Sequence, residues 1–311
     1  MTRRAGLAFL LLAGALLAAA ARAAPAGGEA FDIAVVGHTF PDELGDADLK
    51  RTIARADREK PAFVIAVGIK SADEPCSDRL YLQRKGLLNK SDQPLVLVLT
   101  GDDWTGCRNS AGRSNAIERL NRIREIYYDG QEALGRRKLD LNRQSTITKF
   151  RSYAENAYWE MHGVLFATIN LPARNNHYLL EAGRNSEYED RLVANRFWLN
   201  RLFAIARRDQ LEAVVLFSEG DLKALSQPTG LRALLRRAVP DNDGFAETRR
   251  HVMALAQKFR GKVLLVDTAG LAKGVKPAIE WRGNVGHLSA GAGALEVAVD
   301  PANKTLFKLE P

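Results

Sequence analysis

The chain is expected to be α/β with a layered architecture, and three observations lead there. Three early apolar runs, Phe31 to Val36, Ala62 to Val67 and Pro94 to Leu99, are hydrophobic throughout apart from Asp32, as strands buried on both faces are. Amphipathic stretches separate them, at about Asp46–Arg58 and Asp78–Leu88. Strand, helix, strand at this period favours parallel pairing through right-handed crossovers.

The elements follow in order. A third helix is expected at about Asn115–Ile126. Between Leu139 and Asn170 the character changes to strands joined by short turns, Thr146–Phe150, Tyr153–Trp159 and Val164–Ile169. A long helix runs from Glu187 to about Arg207, with Leu192, Phe197, Leu199, Leu202, Phe203 and Ile205 mostly on one face. Strand Ala213–Phe217, an irregular segment from Ser218 to Asp243, helix Phe245–Phe259 and strand Lys262–Val266 come next. Leu295–Val299 and Thr305–Leu309 close the chain as an antiparallel pair. No internal repeat interrupts this order, and residues 31–311 read as a single domain.

The first 23 residues have the form of a secretory signal: Arg3 and Arg4, an apolar stretch from Ala5 to Ala21, then Ala21-Arg22-Ala23 as a small-x-small cleavage site. The competing reading is an uncleaved anchor, but the run is short for a spanning helix. Residues 24–30 form a small-residue linker. The mature protein is therefore expected in the periplasm or outside the cell, with no membrane span after cleavage. Loss of Arg3, Arg4 and Arg22 lowers the formal charge from +8 to +5. That mild excess suits an anionic small molecule or an envelope surface as partner. No zinc-finger spacing or aromatic–basic repeat supports specific nucleic-acid binding.

Cys76 and Cys107 are the only cysteines. An even count in an oxidising compartment favours a disulfide, and each lies just past a strand end in loops that parallel neighbours bring together. Metal thiolates or a catalytic thiol compete weakly, since no partner Cys or His sits at ligand spacing.

Loops at the C-terminal ends of parallel strands are where α/β folds build sites. Three such loops are Val36-Gly37-His38-Thr39-Phe40, Val67-Gly68-Ile69-Lys70 and Thr100-Gly101-Asp102-Asp103-Trp104. His38 is a candidate metal ligand or proton donor, or simply a polar loop residue. Asp102 and Asp103 can bind one hard cation, or cap the following turn. Asn175 and Asn176, between Arg174 and His177, suit contacts to phosphate or sugar, and equally a tight turn with positive φ. Ser218-Glu219-Gly220-Asp221 can carry an acid–base pair or a turn and cap, and His287 is a candidate ligand-binding residue near the C-terminus. The nucleophile elbow, P-loop, His-Glu-x-x-His and dinucleotide fingerprints are missing.

A set of landmarks resembles exported bacterial members of the calcineurin-like metallophosphoesterase superfamily. They include Pro75-Cys76-Ser77-Asp78, Gly101-Asp102-Asp103-Trp104-Thr105-Gly106-Cys107, Leu134-Gly135, Arg143-Gln144-Ser145 and Tyr153-Ala154-Glu155-Asn156, with Asn175-Asn176, Trp198-Leu199 and Val299-Asp300-Pro301 later. The resemblance implies a sandwich of two sheets flanked by helices, and two divalent metals that lower the pKa of a bridging water and clamp phosphate oxygens. It also places His38 where the first-loop Asp is expected and Ile69 where the bridging Asp is expected. Asp103 falls at the ligand Asn, Asn170 at a ligand His, and Asp267-Thr268-Ala269 at a His-bearing element. Ile69 cannot ligate a metal. The expectation is thus a catalytically weak or inactive binding module with no cofactor, or at most one divalent cation (Mn, Zn, Fe or Mg) on residues such as His38 and Asp103. The alternative is an active phosphoesterase with an atypical or mononuclear site, for which His38, Asp102, Asp103 and Asn170 are the catalytic candidates. A purely structural envelope component is a third reading.

Overall fold

The structure, a computed structural model, describes residues 28–37, 45–181, 183, 185–222, 243–268, 271, 275–291 and 293–310. The expected signal segment 1–23, most of the linker, His38 and much of the irregular 218–243 segment lie outside the described residues.

The described chain is α/β and forms two mixed sheets. In the five-stranded sheet, β1 (Phe31–Gly37), β2 (Phe63–Val67) and β3 (Leu95–Val98) are parallel. Of the last two strands, β11 (Gly293–Val299) pairs antiparallel with β1 and β12 (Phe307–Leu309) antiparallel with β11, in the order β12-β11-β1-β2-β3. The seven-stranded sheet has the order β4-β5-β6-β7-β8-β10-β9. Its centre is parallel: β6 (Val164–Thr168), β7 (Ala213–Phe217), β8 (Lys262–Asp267) and β10 (Val285–Ser289). Its margins are antiparallel: β4 (Asn142–Arg143) and β5 (Ala157–Met161) at one side, β9 (Glu280–Arg282) at the other.

Strand alternation sorts the apolar runs into three cores. Ile33, Val35, Phe63, Ile65, Val96 and Val98 face Trp159, Phe166, Val215, Phe217, Leu264 and Val266 between the sheets. Their alternates, Ala34, Val36, Val64, Ala66, Leu95 and Leu97, pack on α1 (Gly45–Arg58), α2 (Asp78–Leu88) and α3 (Ala116–Tyr127). On the far side Leu165, Val214, Leu216, Val263 and Leu265 pack on α5 (Ser186–Arg208) and α6 (Ala246–Ala256), after a short α4 (Ala173–Asn176). The order is helix, sheet, sheet, helix. Both faces of each central strand are covered, which is why the runs lack polar alternation.

Local chemistry sets the helix ends. Ser77 Oγ accepts the Leu80 N–H at 3.3 Å and starts α2, while Asp46 and Asp48 sit in the first turn of α1 and Arg55 and Arg58 in its last, complementing its dipole. Buried Trp198 of α5 donates its indole N–H to the Thr168 carbonyl at 3.2 Å, tying the helix to the end of β6. Trp198→Phe keeps most of the apolar contact but leaves that carbonyl short of a partner. A loss of about 1–2 kcal/mol is expected in chemical denaturation.

The middle region departs from the sequence reading. Thr146–Phe150 is not a strand; Gln144–Thr146 and Thr148–Phe150 are 3₁₀ turns. Two interactions outweigh the β-branched residues there. The Arg143 guanidinium donates to the carbonyls of Gly130, Ala154 and Glu132, and Gln144 is held between the Ala194 carbonyl and the Asn156 amide. The strand expected from Tyr153 begins only at Ala157. The terminal antiparallel pair forms as expected. Strands β9 and β10 were not anticipated.

Candidate functional site at the strand ends

The loops that follow β2, β3, β6 and β7 interlock through backbone groups and buried acids. At the end of β1, a Cβ on Gly37 would lie 2.3 Å from the Gly291 carbonyl and 2.7 Å from the Thr268 methyl, so only glycine lets the two sheets approach there. Between the second and third loops the brace is Asp103, which is fully buried. Its Oδ1 accepts the amides of Ile69 at 2.7 Å and Lys70 at 3.1 Å, and its Oδ2 that of Thr100 at 2.8 Å. Burial pushes this carboxyl up to about 6, against the three N–H groups that favour its charge.

Glu219, after β7, performs the same task between the sheets. Its Oε2 accepts the Gly101 amide at 2.7 Å and the Ala173 amide at 2.5 Å, joining the loops that follow β3, β6 and β7. Burial is the main cause that raises the Glu219 carboxyl, to about 8; the two amides oppose it, and Asp103 and Asp102 add to it. A carboxyl whose folded pKa exceeds the usual value binds more protons folded than unfolded, so its stabilisation is full below about pH 4.5 and lost as pH rises through about 8. Wild-type stability should therefore fall relative to Glu219→Gln between pH 5 and 8, with a slope approaching about 1.4 kcal/mol per pH unit. Denaturation midpoints of the two proteins across that range check it, and parallel curves would remove the claim.

Four successive residues, Arg174, Asn175, Asn176 and His177, have positive φ, a left-handed turn that L-residues rarely sustain. It persists because its neighbours over-determine it. Asn175 Oδ1 accepts the Gly244 amide at 2.7 Å, and buried Asn176 donates to the Gly244 carbonyl at 2.9 Å while accepting from Arg191. His177 lies 3.0 Å from Glu187 and edge-on to the Trp104 ring at 4.8 Å. The turn presents Arg174 3.3 Å from Asp102.

Beside it opens a cleft of about 440 Å³, lined by Lys70, Glu74, Cys76, Asp102, Arg108 and Arg174 among others. Cys76 and Cys107 form the disulfide that walls it, with Cα atoms 5.8 Å apart. Glu74 is engaged by the Arg84 guanidinium, which also reaches Asp46 and the Ile69 carbonyl. Lys70 is only 4% exposed and donates Nζ to the Ser71 carbonyl at 2.7 Å. Burial lowers its pKa, and the nearby charges of Asp103 and Asp102 oppose that.

The residues singled out by sequence are thus distributed unevenly. Asp102 borders the cleft, Asp103 braces the loops under it, and His38 is outside the described residues. The Ile69 side chain packs in the core between the five-stranded sheet and its helices. Asn170 belongs to another cluster: its amide donates to Glu155, which pairs with Arg124, and its carbonyl accepts from Asn195. Asn175 and Asn176 build the left-handed turn. His287 lies on β10, with Nε2 2.6 Å from Asp267 and 3.3 Å from Asp221. Glu219 is visible in the sequence as part of a Ser-Glu-Gly-Asp turn, whereas its bond to Gly101, 118 positions away, has no local signal.

Among the described residues, these loops bring together no set of side chains that would hold two bridged metals. Ile69 has no donor atom, and the Asp103 oxygens already accept three amides. Among the described residues, one group of His, Cys, Asp or Glu is close enough to share an ion, Asp221, Asp267 and His287, and none of the three lines the cleft. No helix among the described residues is long and apolar enough to cross a membrane. No protein-family model matches this chain, and no curated protein sequence does.

Proposed function

We propose that this chain is an exported protein of the calcineurin-like metallophosphoesterase fold that binds an anionic or phosphorylated ligand at its strand-end cleft with little or no turnover. The observation that carries the reading is Asp103, whose carboxylate braces two loops where the resemblance would put a ligand Asn. Ile69 at the bridging position supports it, being buried away in the helix-side core. The helix–sheet–sheet–helix layering agrees with that fold, and the disulfide and the apolar N-terminal stretch agree with export.

What the cleft offers instead of metals is cationic side chains on fixed backbone. Lys70, Arg108 and Arg174 lie around it, and Arg174 is presented by a turn whose conformation is locked by Asn175 and Asn176. Guanidinium and ammonium groups recognise phosphate oxygens through charge-assisted hydrogen bonds. Titration of inorganic phosphate into the mature protein at low salt tests this. Lys70→Ala and Arg174→Ala should each weaken binding roughly tenfold or more, a loss of about 1.5–3 kcal/mol. Arg136→Ala, at an exposed pair with Asp92 outside the cleft, should leave it unchanged. Phosphate binding that ignores Lys70 and Arg174 would rule out the cleft as the binding site.

A further inference from the structure

The seven-stranded sheet carries a second constellation of ligand-type side chains. Asp221 follows β7, Asp267 is the last residue of β8, and His287 lies in the middle of β10. In the β8–β10 ladder His287 pairs with Leu265 and Ser289 with Asp267, so Asp267 and His287 are diagonal neighbours on one face. Val263, Leu265 and Val285, which share their parity, all pack in the core beneath α5 and α6. The face is therefore the helix-covered side of the sheet. Leu264, Val266 and Leu288, of the opposite parity, face the core between the sheets.

We propose that Asp221, Asp267 and His287 hold one divalent transition-metal ion, of the zinc or manganese class, at the helix-covered edge of this sheet. Their ligand atoms all lie within 4.8 Å of one another, with His287 Nε2 2.6 Å from Asp267 Oδ2 and 3.3 Å from Asp221 Oδ1. Ligands about 2.0–2.2 Å from a common ion sit roughly 3–4 Å apart, so a small widening of the His287–Asp267 pair accommodates it. Two carboxylates neutralise a dication. The imidazole favours a borderline ion over magnesium or calcium, whose preferred ligands are oxygens. Three protein ligands leave at least one position for water or an incoming group.

The site is also preorganised. Asp267 is nearly fully buried and its carbonyl accepts the Ala290 amide at 2.8 Å, while the preceding Val266 carbonyl accepts the Ser218 amide at 3.0 Å. Two ligands stand on paired strands, which fixes their separation better than mobile loops do.

The test uses the mature protein freed of metal with a chelator, then titrated with Zn²⁺ and with Mn²⁺ by calorimetry. Uptake of one equivalent per chain is expected, with a rise in melting temperature. His287→Ala and Asp267→Asn should weaken binding roughly a hundredfold, since ligands matter at least as much as the outer groups that orient them. If either variant fails to fold, Asp221→Asn, beyond the strand, should show the same loss. Visible absorption bands of bound Co²⁺ should disappear in the same variants. Uptake well below one equivalent, or unchanged affinity in the folded variants, overturns the proposal. None of the three residues lines the strand-end cleft, so metal binding and phosphate binding can fail independently.

Discussion

Asp103→Ala is expected to destabilise the protein by about 3–5 kcal/mol, because it leaves the amides of Ile69, Lys70 and Thr100 buried without acceptors, each at about 1–3 kcal/mol. Relaxation of the two loops toward water recovers part of the sum. Asp103→Asn is the discriminating control. Its carbonyl can still accept from Ile69 and Lys70, but its NH₂ then meets the Thr100 N–H, so an intermediate loss of about 1–3 kcal/mol is expected. Denaturant titrations measure both. A loss below about 1 kcal/mol for the alanine variant would mean that Asp103 does not organise these loops. The alanine variant should also bind phosphate poorly, since the Lys70 backbone is one of the groups it releases.

Removing the disulfide is the second large effect. Cys76 and Cys107 are 31 positions apart, and a closed loop of that length restricts the unfolded chain by about 3–4 kcal/mol. Cys76→Ser with Cys107→Ser should show that loss in denaturant titration. The bridge also forms one wall of the cleft, so phosphate affinity should drop with it. Two reactive thiols in the unreduced wild-type protein, or a double variant of unchanged stability, would contradict this account.

Much of the framework was legible in the sequence because burial on both faces writes long apolar runs. The runs ending at Val36, Val67 and Leu99, and those at Val164–Ile169, Ala213–Phe217 and Lys262–Val266, all became strands. The misses have physical causes. In β9, Glu280, Trp281 and Arg282 are all exposed, and β10 interrupts its apolar pattern with Gly286 and His287. Neither carries the signal of a buried strand. Thr146, Ile147 and Thr148 carry that signal falsely, because buried contacts of Arg143 and Gln144 decide the backbone there.

The candidate loops were legible as places and less so as chemistry. Strand-end position pointed to the loops holding Asp102 and Asp103, and of the two readings open to the adjacent asparagines the turn with positive φ is the one seen at 175–176. That the Asp103 oxygens are directed at amides depends on how two loops stack. The meeting of Glu219 with Gly101, and of Asp221 with Asp267 and His287, depends on sheet order, which no local pattern encodes.

The central claim is the proposal that these loops bind anions without a metal-activated water. Hydrolysis of p-nitrophenyl phosphate and bis-p-nitrophenyl phosphate by the purified protein in saturating Mn²⁺ or Zn²⁺ tests it most directly. The account predicts rates indistinguishable from those of the metal ion in buffer, in wild type and in Lys70→Ala alike. Robust turnover in the wild type, abolished by a chelator and restored by the metal, would contradict it.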